Sequence, residues 1–440
     1  MATSRWIPPQ DPGRRTVQKA AKPTGILRTA TCSHVALIIE LELMKNLPPQ
    51  SMNGRLQILT KRQPMLLSGS KPGRPPVGVP GMAQAPVWVL LGRRHGDNQQ
   101  LLGLAAALGE PFATVPLAFN VLASLPNVLR GRSLLSLRDR RVLPDGQPQL
   151  IMGSGRRVVP VARWLQRHAE GYPRLLHVGR PWAPLQWFDL IITTPQYGLP
   201  ARPNVLCNLL PFQPAPPVER ELPFEWSERF ESLPRPWTVV LLGGHSRPYV
   251  FDRLAAARLA DEANAVVQKQ GGSALLLSSP RTPEDCLDLI ERRLQAPSLL
   301  CRWRRQPGLY TWMLRRADQF IVTSDSATMV GDALVTGKPV RRFDLPQRPD
   351  WRLQLAAGWR HAALRHPWLD AANRRLRNAG LLSSVRDLGE YHRRLEAIGA
   401  FSDGRVAPAL ARRERERTLA RVRGLLDQAP RMLLQEPPRP

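Results

Sequence analysis

Two runs of alternating apolar strands and amphipathic helices, parted by a proline-rich stretch, leave this chain little choice of fold. The first run begins abruptly at Val87, where Val87-Trp88-Val89-Leu90-Leu91 is short, apolar and followed by Gly92, as a buried strand is. Asn98 to Leu108 then places Leu101, Leu104, Ala105 and Leu108 on one helical face, and Gly109 ends it. Strand-like runs follow at 112–119, 149–152, 174–178, 188–193 and 204–209, with a helical stretch from Val158 to Ala169. Seven prolines between Pro211 and Pro236 mark a linker, after which the pattern restarts at Thr238. Strands are predicted at 238–242, 274–277, 299–303, 320–323 and 340–343, with helices at 251–269, 283–294, 309–316 and 326–335 between them. Strands that are apolar throughout and alternate with helices indicate parallel sheets covered on both faces.

The flanks read differently. Residues 1–85 hold eleven prolines that break every pattern except a short one near 31–46, so they are expected to form a poorly ordered extension. From Trp351 onward an arginine-rich tail is helical in pieces, notably Val385 to Ile398 and Ala407 to Leu426.

The formal net charge of +28 points at first to nucleic acid or an anionic membrane. Only seven of the 63 basic residues are lysine, however, and the excess is spread as +9, +10 and +9 over residues 1–85, 86–350 and 351–440. No basic module stands out, and a nucleic-acid partner is discounted. Cys32, Cys207, Cys286 and Cys301 lie far apart with no paired spacing, which fits free thiols in a reducing compartment rather than zinc ligands or a disulfide scaffold. No metal site and no transmembrane helix are expected; the apolar stretch from Val35 to Met44 is interrupted by Glu40 and Glu42 and spans half a membrane at most.

In open parallel sheets, ligands bind at the carboxyl ends of strands, where loops meet helix N-termini. Thr323-Ser324-Asp325-Ser326 ends one strand and opens a helix, a place where unpaired amides and the helix dipole favour a diphosphate. An N-cap at Ser324 or Asp325 accounts for the same residues without a ligand. Asp332, about two turns on, is placed to chelate vicinal ribose hydroxyls or to be a solvated polar position. Gly243-Gly244 permits close backbone approach and Arg247 supplies a phosphate partner, with a plain turn as the competing explanation. Ser278, after the next strand, is a weaker candidate of the same kind.

In the first half, residues 92–100 are dense in polar groups but lack the lysine and spacing of a phosphate loop. His95 and Asp97 there are candidates for a general base, and Asp97 serves equally as an N-cap. Ser154 and Arg156 follow another strand and suit an anionic acceptor, or a flexible turn. Gln196 and Tyr197, in Thr194-Pro195-Gln196-Tyr197, suit an acceptor sugar or simply close the core.

Several of these motifs, in order and spacing, resemble the mitochondrial-fission adaptor family named for elongated mitochondria, found in plants and more abundantly in bacteria. They are Leu91-Gly92 through Asp97-Asn98-Gln99, Gly179-Arg180-Pro181 with Phe188-Asp189-Leu190-Ile191, Thr194-Pro195-Gln196-Tyr197, Leu242-Gly243-Gly244, and Thr323-Ser324-Asp325-Ser326 through Thr336-Gly337-Lys338-Pro339-Val340. The resemblance covers about residues 86–345. That family in turn resembles two-domain GT-B glycosyltransferases and UDP-sugar 2-epimerases. The likeness implies a nucleotide-sugar in the second domain, its diphosphate at the serine-rich helix start. It also implies a ribose contact at Asp332, where Asp332-Ala333-Leu334-Val335-Thr336-Gly337-Lys338-Pro339 has aspartate in place of the glutamate of E-A-x-x-x-G-x-P. For plant members it implies recruitment of a dynamin-like GTPase to the mitochondrial outer membrane.

The expected fold is therefore α/β: two Rossmann-like doubly wound domains facing across a cleft, GT-B-like, with a helical tail. The expected boundaries are 1–85 extension, 86–210 first domain, 211–236 linker, 237–345 second domain and 346–440 tail. The expected function is metal-independent glycosyl transfer from a nucleotide-sugar, with no cofactor beyond that donor, to a lipid or envelope-glycan acceptor. The alternative is a non-catalytic adaptor that recruits a protein partner. An anionic membrane surface is a further expected partner, and the expected location is the cytoplasm, peripheral to the inner face of a membrane.

Overall fold

The strands predicted from apolar runs form two separate parallel sheets in a computed structural model of the chain. It describes residues 85–427 except 170–171, 213–223, 304–307, 349–365 and most of 366–385. The expected extension thus lies outside the described residues apart from Ala85, as do part of the expected linker and part of the tail. All described residues belong to one unit, residues 68–440.

The first lobe runs β1 (Val87–Leu91), α1 (His95–Leu108), β2 (Phe112–Pro116), the short α2 (Asn127–Arg130), β3 (Leu150–Ser154), α3 (Val159–His168), β4 (Arg174–Val178), β5 (Leu190–Thr193) and β6 (Val205–Cys207). Its sheet order is β2-β1-β3-β4-β5-β6, every pair parallel. After α4 (Phe224–Glu231), the second lobe runs β7 (Trp237–Leu241), α5 (Arg253–Gln270), β8 (Ser273–Leu277), α6 (Glu284–Arg293), β9 (Ser298–Cys301), α7 (Leu309–Arg316), β10 (Gln319–Thr323), α8 (Ala327–Val335) and β11 (Val340–Phe343). Its order is β11-β10-β7-β8-β9, again all parallel. Two helices follow, α9 (Leu388–Ala397) and α10 (Val406–Leu426).

Each sheet is covered on both faces, which is why its central strands carry no alternation. Val239, Val240 and Leu241 of β7 and Ala274, Leu275 and Leu276 of β8 are all fully buried. Helix α5 meets them with Leu259 and with Ala255, Ala256, Ala260 and Ala263, the last four small enough to let its backbone come close to the strands. Asp252 starts that helix by accepting from the Ala255 amide at 2.9 Å, a cap that contributes about 1 kcal/mol.

The structure departs from the sequence pattern at three places. Helix α1 begins at His95, not Asn98, because the Asn98 side chain bonds both the amide (3.0 Å) and the carbonyl (2.9 Å) of Gly92 and so holds the preceding turn from within the helix. Asp97 is consequently a first-turn residue, and Arg94 occupies the cap position without a side-chain bond. Helix α8 is capped by Ser326, not by Ser324 or Asp325. Helix α4 lies inside the stretch expected as linker. Trp226 and Phe230 share one helical face four residues apart, and Phe230 buries completely, stacking on Trp312 with ring centres 4.7 Å apart.

The topology singles out two crevices. In the first sheet the chain leaves β1 toward β2 and returns to β3 on the other side. In the second it leaves β7 toward β8 and returns to β10 on the other side. At such switch points the loops after the two central strands diverge and leave room for a ligand. The loops concerned are 92–97 and 155–157 in one lobe, 242–247 and 324–326 in the other.

Candidate functional site

Around the second lobe's switch point the chain satisfies many of its own polar groups. Thr323 Oγ1 accepts from the Gly243 amide (2.8 Å) and donates to Asp325 Oδ1 (2.8 Å). Asp325 is fully buried, and its other oxygen accepts from the Gly244 amide (3.1 Å) and from Arg281 Nη1 (2.8 Å). The amides of the glycine pair are therefore met by two side chains of the lobe itself, Thr323 and Asp325. A Cβ on Gly243 would lie 1.9 Å from Asp325 Oδ1, and one on Gly244 would lie 2.1 Å from the Arg281 carbonyl, so internal packing alone demands glycine at both.

Ser324 is likewise buried: its Oγ accepts from the Leu345 amide (3.1 Å) and its carbonyl faces His392 Nε2 at 2.9 Å. Ser326 is half-exposed at the start of α8, where its Oγ accepts from the Met329 amide at 3.4 Å. Asp332 accepts from the Tyr310 hydroxyl at 2.6 Å, and burial together with that carboxylate pushes the Tyr310 phenol well above its usual range. Ser278 Oγ accepts from the Trp303 amide at 2.6 Å. Arg247 is exposed, as is His245, whose Nδ1 accepts from the Phe251 amide at 3.3 Å.

In the first lobe, His95 is the first residue of α1. Burial pushes the Asp97 carboxyl above the usual carboxylate range, against the pull of Arg94, Arg386 and a hydrogen bond from Ser154. Ser154 Oγ stands between Asp97 and the Val178 carbonyl (2.9 Å), and its single proton serves one of them at a time. Arg156 reaches away to the Ser124 carbonyl at 2.9 Å. Gln196 Nε2 donates to Thr194 Oγ1 (2.8 Å), and the Gln196 backbone carbonyl accepts from the Asp387 amide (2.8 Å). Tyr197 is half-buried; burial raises its phenol, Asp97 adds to that, and Arg386 opposes it both by its charge and by a hydrogen bond.

Arg386 joins these observations, and sequence reasoning missed it. It donates to Ser246 Oγ (2.7 Å) and to the Asp325 carbonyl (3.1 Å) in the second lobe, while reaching Tyr197 and acting on Asp97 in the first. The structure thus brings Asp97, Ser154 and Tyr197 to one junction with the entrance of α8. It turns the Ser278 and Asp332 side chains to Trp303 and Tyr310, and Arg156 to Ser124. Arg386 had one local signal, its place just before Asp387, which caps α9 by accepting from Glu390 N at 2.9 Å. Among 56 arginines that signal does not stand out.

Among the described residues, no three His, Cys, Asp or Glu side chains come together as metal ligands, and no helix is long and apolar enough to cross a membrane. Cys207, Cys286 and Cys301 are free thiols.

A family model described as Mitochondrial fission ELM1 matches residues 95–366. The chain is 25% identical over 298 residues to the uncharacterized protein RP120 of Rickettsia prowazekii, spanning 59% of this chain and 83% of that one. It is 24% identical over 273 residues to the mitochondrial fission protein ELM1 of Arabidopsis thaliana, spanning 56% of this chain and 64% of that one. Among solved structures it is similar to an S. aureus MnaA–UDP complex, with 11% identity over 79% of this chain and 99% of that one and a TM-score of 0.42. It is also similar to a UDP-glucosyltransferase from Polygonum tinctorium, with 12% identity over 78% and 99% and a TM-score of 0.40.

Proposed function

This chain belongs to the mitochondrial fission ELM1 family, and from that premise we propose that it binds a nucleotide-sugar in its second lobe and transfers the glycosyl group to an acceptor held by the first. The observation that carries the reading is the junction at Arg386. The positive end of α8, capped by Ser326, and the guanidinium of Arg386 face the polar groups of the first lobe within one hydrogen-bonded cluster. A diphosphate placed there meets helix amides and a fixed cation, with Arg247 exposed beside them.

In the proposed step the acceptor oxygen bonds to the sugar's anomeric carbon as the bond from that carbon to the diphosphate oxygen breaks. The acceptor's proton passes to Asp97 or His95, and the nucleoside diphosphate leaves with the electron pair. A carboxyl raised by burial is a better base than an ordinary one, which suits Asp97 to this role. Asp332 contacts the ribose by exchanging its Tyr310 bond for the sugar's hydroxyls. Gly243, Gly244, Thr323, Ser324 and Asp325 shape the loop from within, and Ser154, Gln196 and Tyr197 border the acceptor.

Calorimetry of the full chain with UDP, GDP, CMP and their sugars tests this. One of them should bind, with about tenfold loss in Arg386→Ala, which stays folded though slightly less stable, and in Asp332→Asn at unchanged melting temperature. No heat with any of them, and no thermal stabilisation, would overturn it. A second reading, a non-catalytic adaptor that recruits a protein partner, is favoured by one observation: Thr323 and Asp325 already occupy the Gly243 and Gly244 amides. Binding that disappears in Asp332→Asn would count against that reading.

A further inference from the structure

The carboxyl edge of the first sheet gathers arginines that the transfer step leaves unused. Arg130 is only 6% exposed, yet among the described residues the charges that act on it are those of other arginines, not carboxylates. Its Nε donates to the Leu125 carbonyl (3.0 Å) and its Nη2 to Asn127 Oδ1 and the Arg156 carbonyl, while Nη1 is buried without a hydrogen-bond partner. The charges acting most strongly on Arg130 are Arg156 and Arg157, and those on Arg157 are Arg93, Arg156 and Arg94. Burial and these neighbours push Arg130 down to about 10, as befits a cation kept among cations. Like charges held this close repel one another, and an anion between them is favoured.

Beside it lies an exposed apolar ledge. Val121 is 86% exposed, Leu129 68% and Leu135 58%, and Leu122 joins them at 42%. Asn120 ties the ledge together: its Nδ2 donates to the Leu135 carbonyl (2.7 Å) and its Oδ1 accepts from the Leu122 amide (2.9 Å). Arg156, bonded to the Ser124 carbonyl, and Arg130, bonded to the Leu125 carbonyl, hold the ledge directly against the cationic cluster. Charge on one side and an apolar surface on the other match an amphiphile with an anionic head.

We propose that this edge is a binding site for a phosphate or diphosphate ester carrying an apolar chain, with Arg130 and Arg157 on the phosphate oxygens and the chain lying over Leu122 and Leu129. As the acceptor's site it rests on the transfer reading; as a binding site it stands apart from it.

The test is equilibrium binding of octyl phosphate below its micelle-forming concentration, beside inorganic phosphate, inorganic diphosphate and octanol, to the full chain without nucleotide. Octyl phosphate should bind about tenfold more tightly than inorganic phosphate, and octanol should not bind. Arg157→Gln should weaken octyl phosphate by about tenfold, and Leu129→Gln should bring it to the level of inorganic phosphate while leaving the latter unchanged. Arg130→Gln removes a buried group and risks the fold, so the half-buried Arg157 and exposed Leu129 decide. Equal affinity for inorganic and octyl phosphate overturns the apolar half of the proposal. Unchanged binding in a folded Arg157→Gln overturns the anion half. Nucleotide-sugar binding measured on the same proteins reports separately, so its failure alone leaves this site standing.

Discussion

A Cβ built on Gly243 would lie 1.9 Å from Oδ1 of Asp325, a fully buried carboxylate whose partners are Thr323, the Gly244 amide and Arg281. Neither side can give way without breaking that network. Gly243→Ala is therefore expected to destabilise the protein by about 3 kcal/mol, read from denaturant midpoints at unchanged slope. His177 on β4 is a second residue whose surroundings set its behaviour. It is buried with Nε2 3.4 Å from the Gly155 carbonyl, and burial pushes its ring from 6.5 down to about 4. The unfolded chain takes up a proton there near pH 6.5, and the native protein does so only near pH 4. The contribution of His177 to stability is thus full above pH 6.5 and falls by about 3 kcal/mol as pH drops through that window. In His177→Phe most of that slope should vanish, as denaturation at pH 7 and pH 4.5 would reveal. Burial also holds His392 down, so some slope should remain.

Helix α10 has both lobes to hold. It packs on α8 of the second lobe and on α1 of the first. Glu414 and Thr418, one turn apart on its inner face, meet the chain just after β6. The carboxylate accepts from the Leu209 (2.6 Å) and Leu210 (2.9 Å) amides, and Thr418 Oγ1 accepts from Asn208 Nδ2 (2.9 Å). Burial raises the Glu414 carboxyl in spite of these donors. Glu414→Ala leaves two amides without acceptors and should cost about 3 kcal/mol, with faster hydrogen exchange at Leu209 and Leu210. Exchange confined to α10 itself would show that the contact does not restrain the first lobe. Helices are more legible in a sequence than their ends. α5 and α6 announce their buried faces by spacing, whereas the start of α1 depends on Asn98 turning back to Gly92, which no periodicity encodes.

For the whole molecule, Arg386 and Asp387 link the lobes through Ser246 and the Asp325 carbonyl on one side and Tyr197 and Gln196 on the other. Removing the guanidinium in Arg386→Ala should cost only about 1–2 kcal/mol but loosen the junction, seen as a larger radius of gyration in small-angle scattering. An unchanged radius would show that Arg386 does not set the lobes' relation. By itself the sequence determined two doubly wound α/β lobes and the loops at their carboxyl ends, because apolar runs and helical spacing act over a few residues and are written locally. Only the tertiary structure decided which loop side chains meet a neighbour and which face open space. Gly243 and Asp325 are 82 positions apart, and Arg386 lies 61 beyond Asp325, so their pairing depends on strand order and on the satisfaction of buried polar groups. Burial is a property of the assembled chain, and it is burial that turned Thr323, Ser324 and Asp325 inward and left Arg386 at the junction.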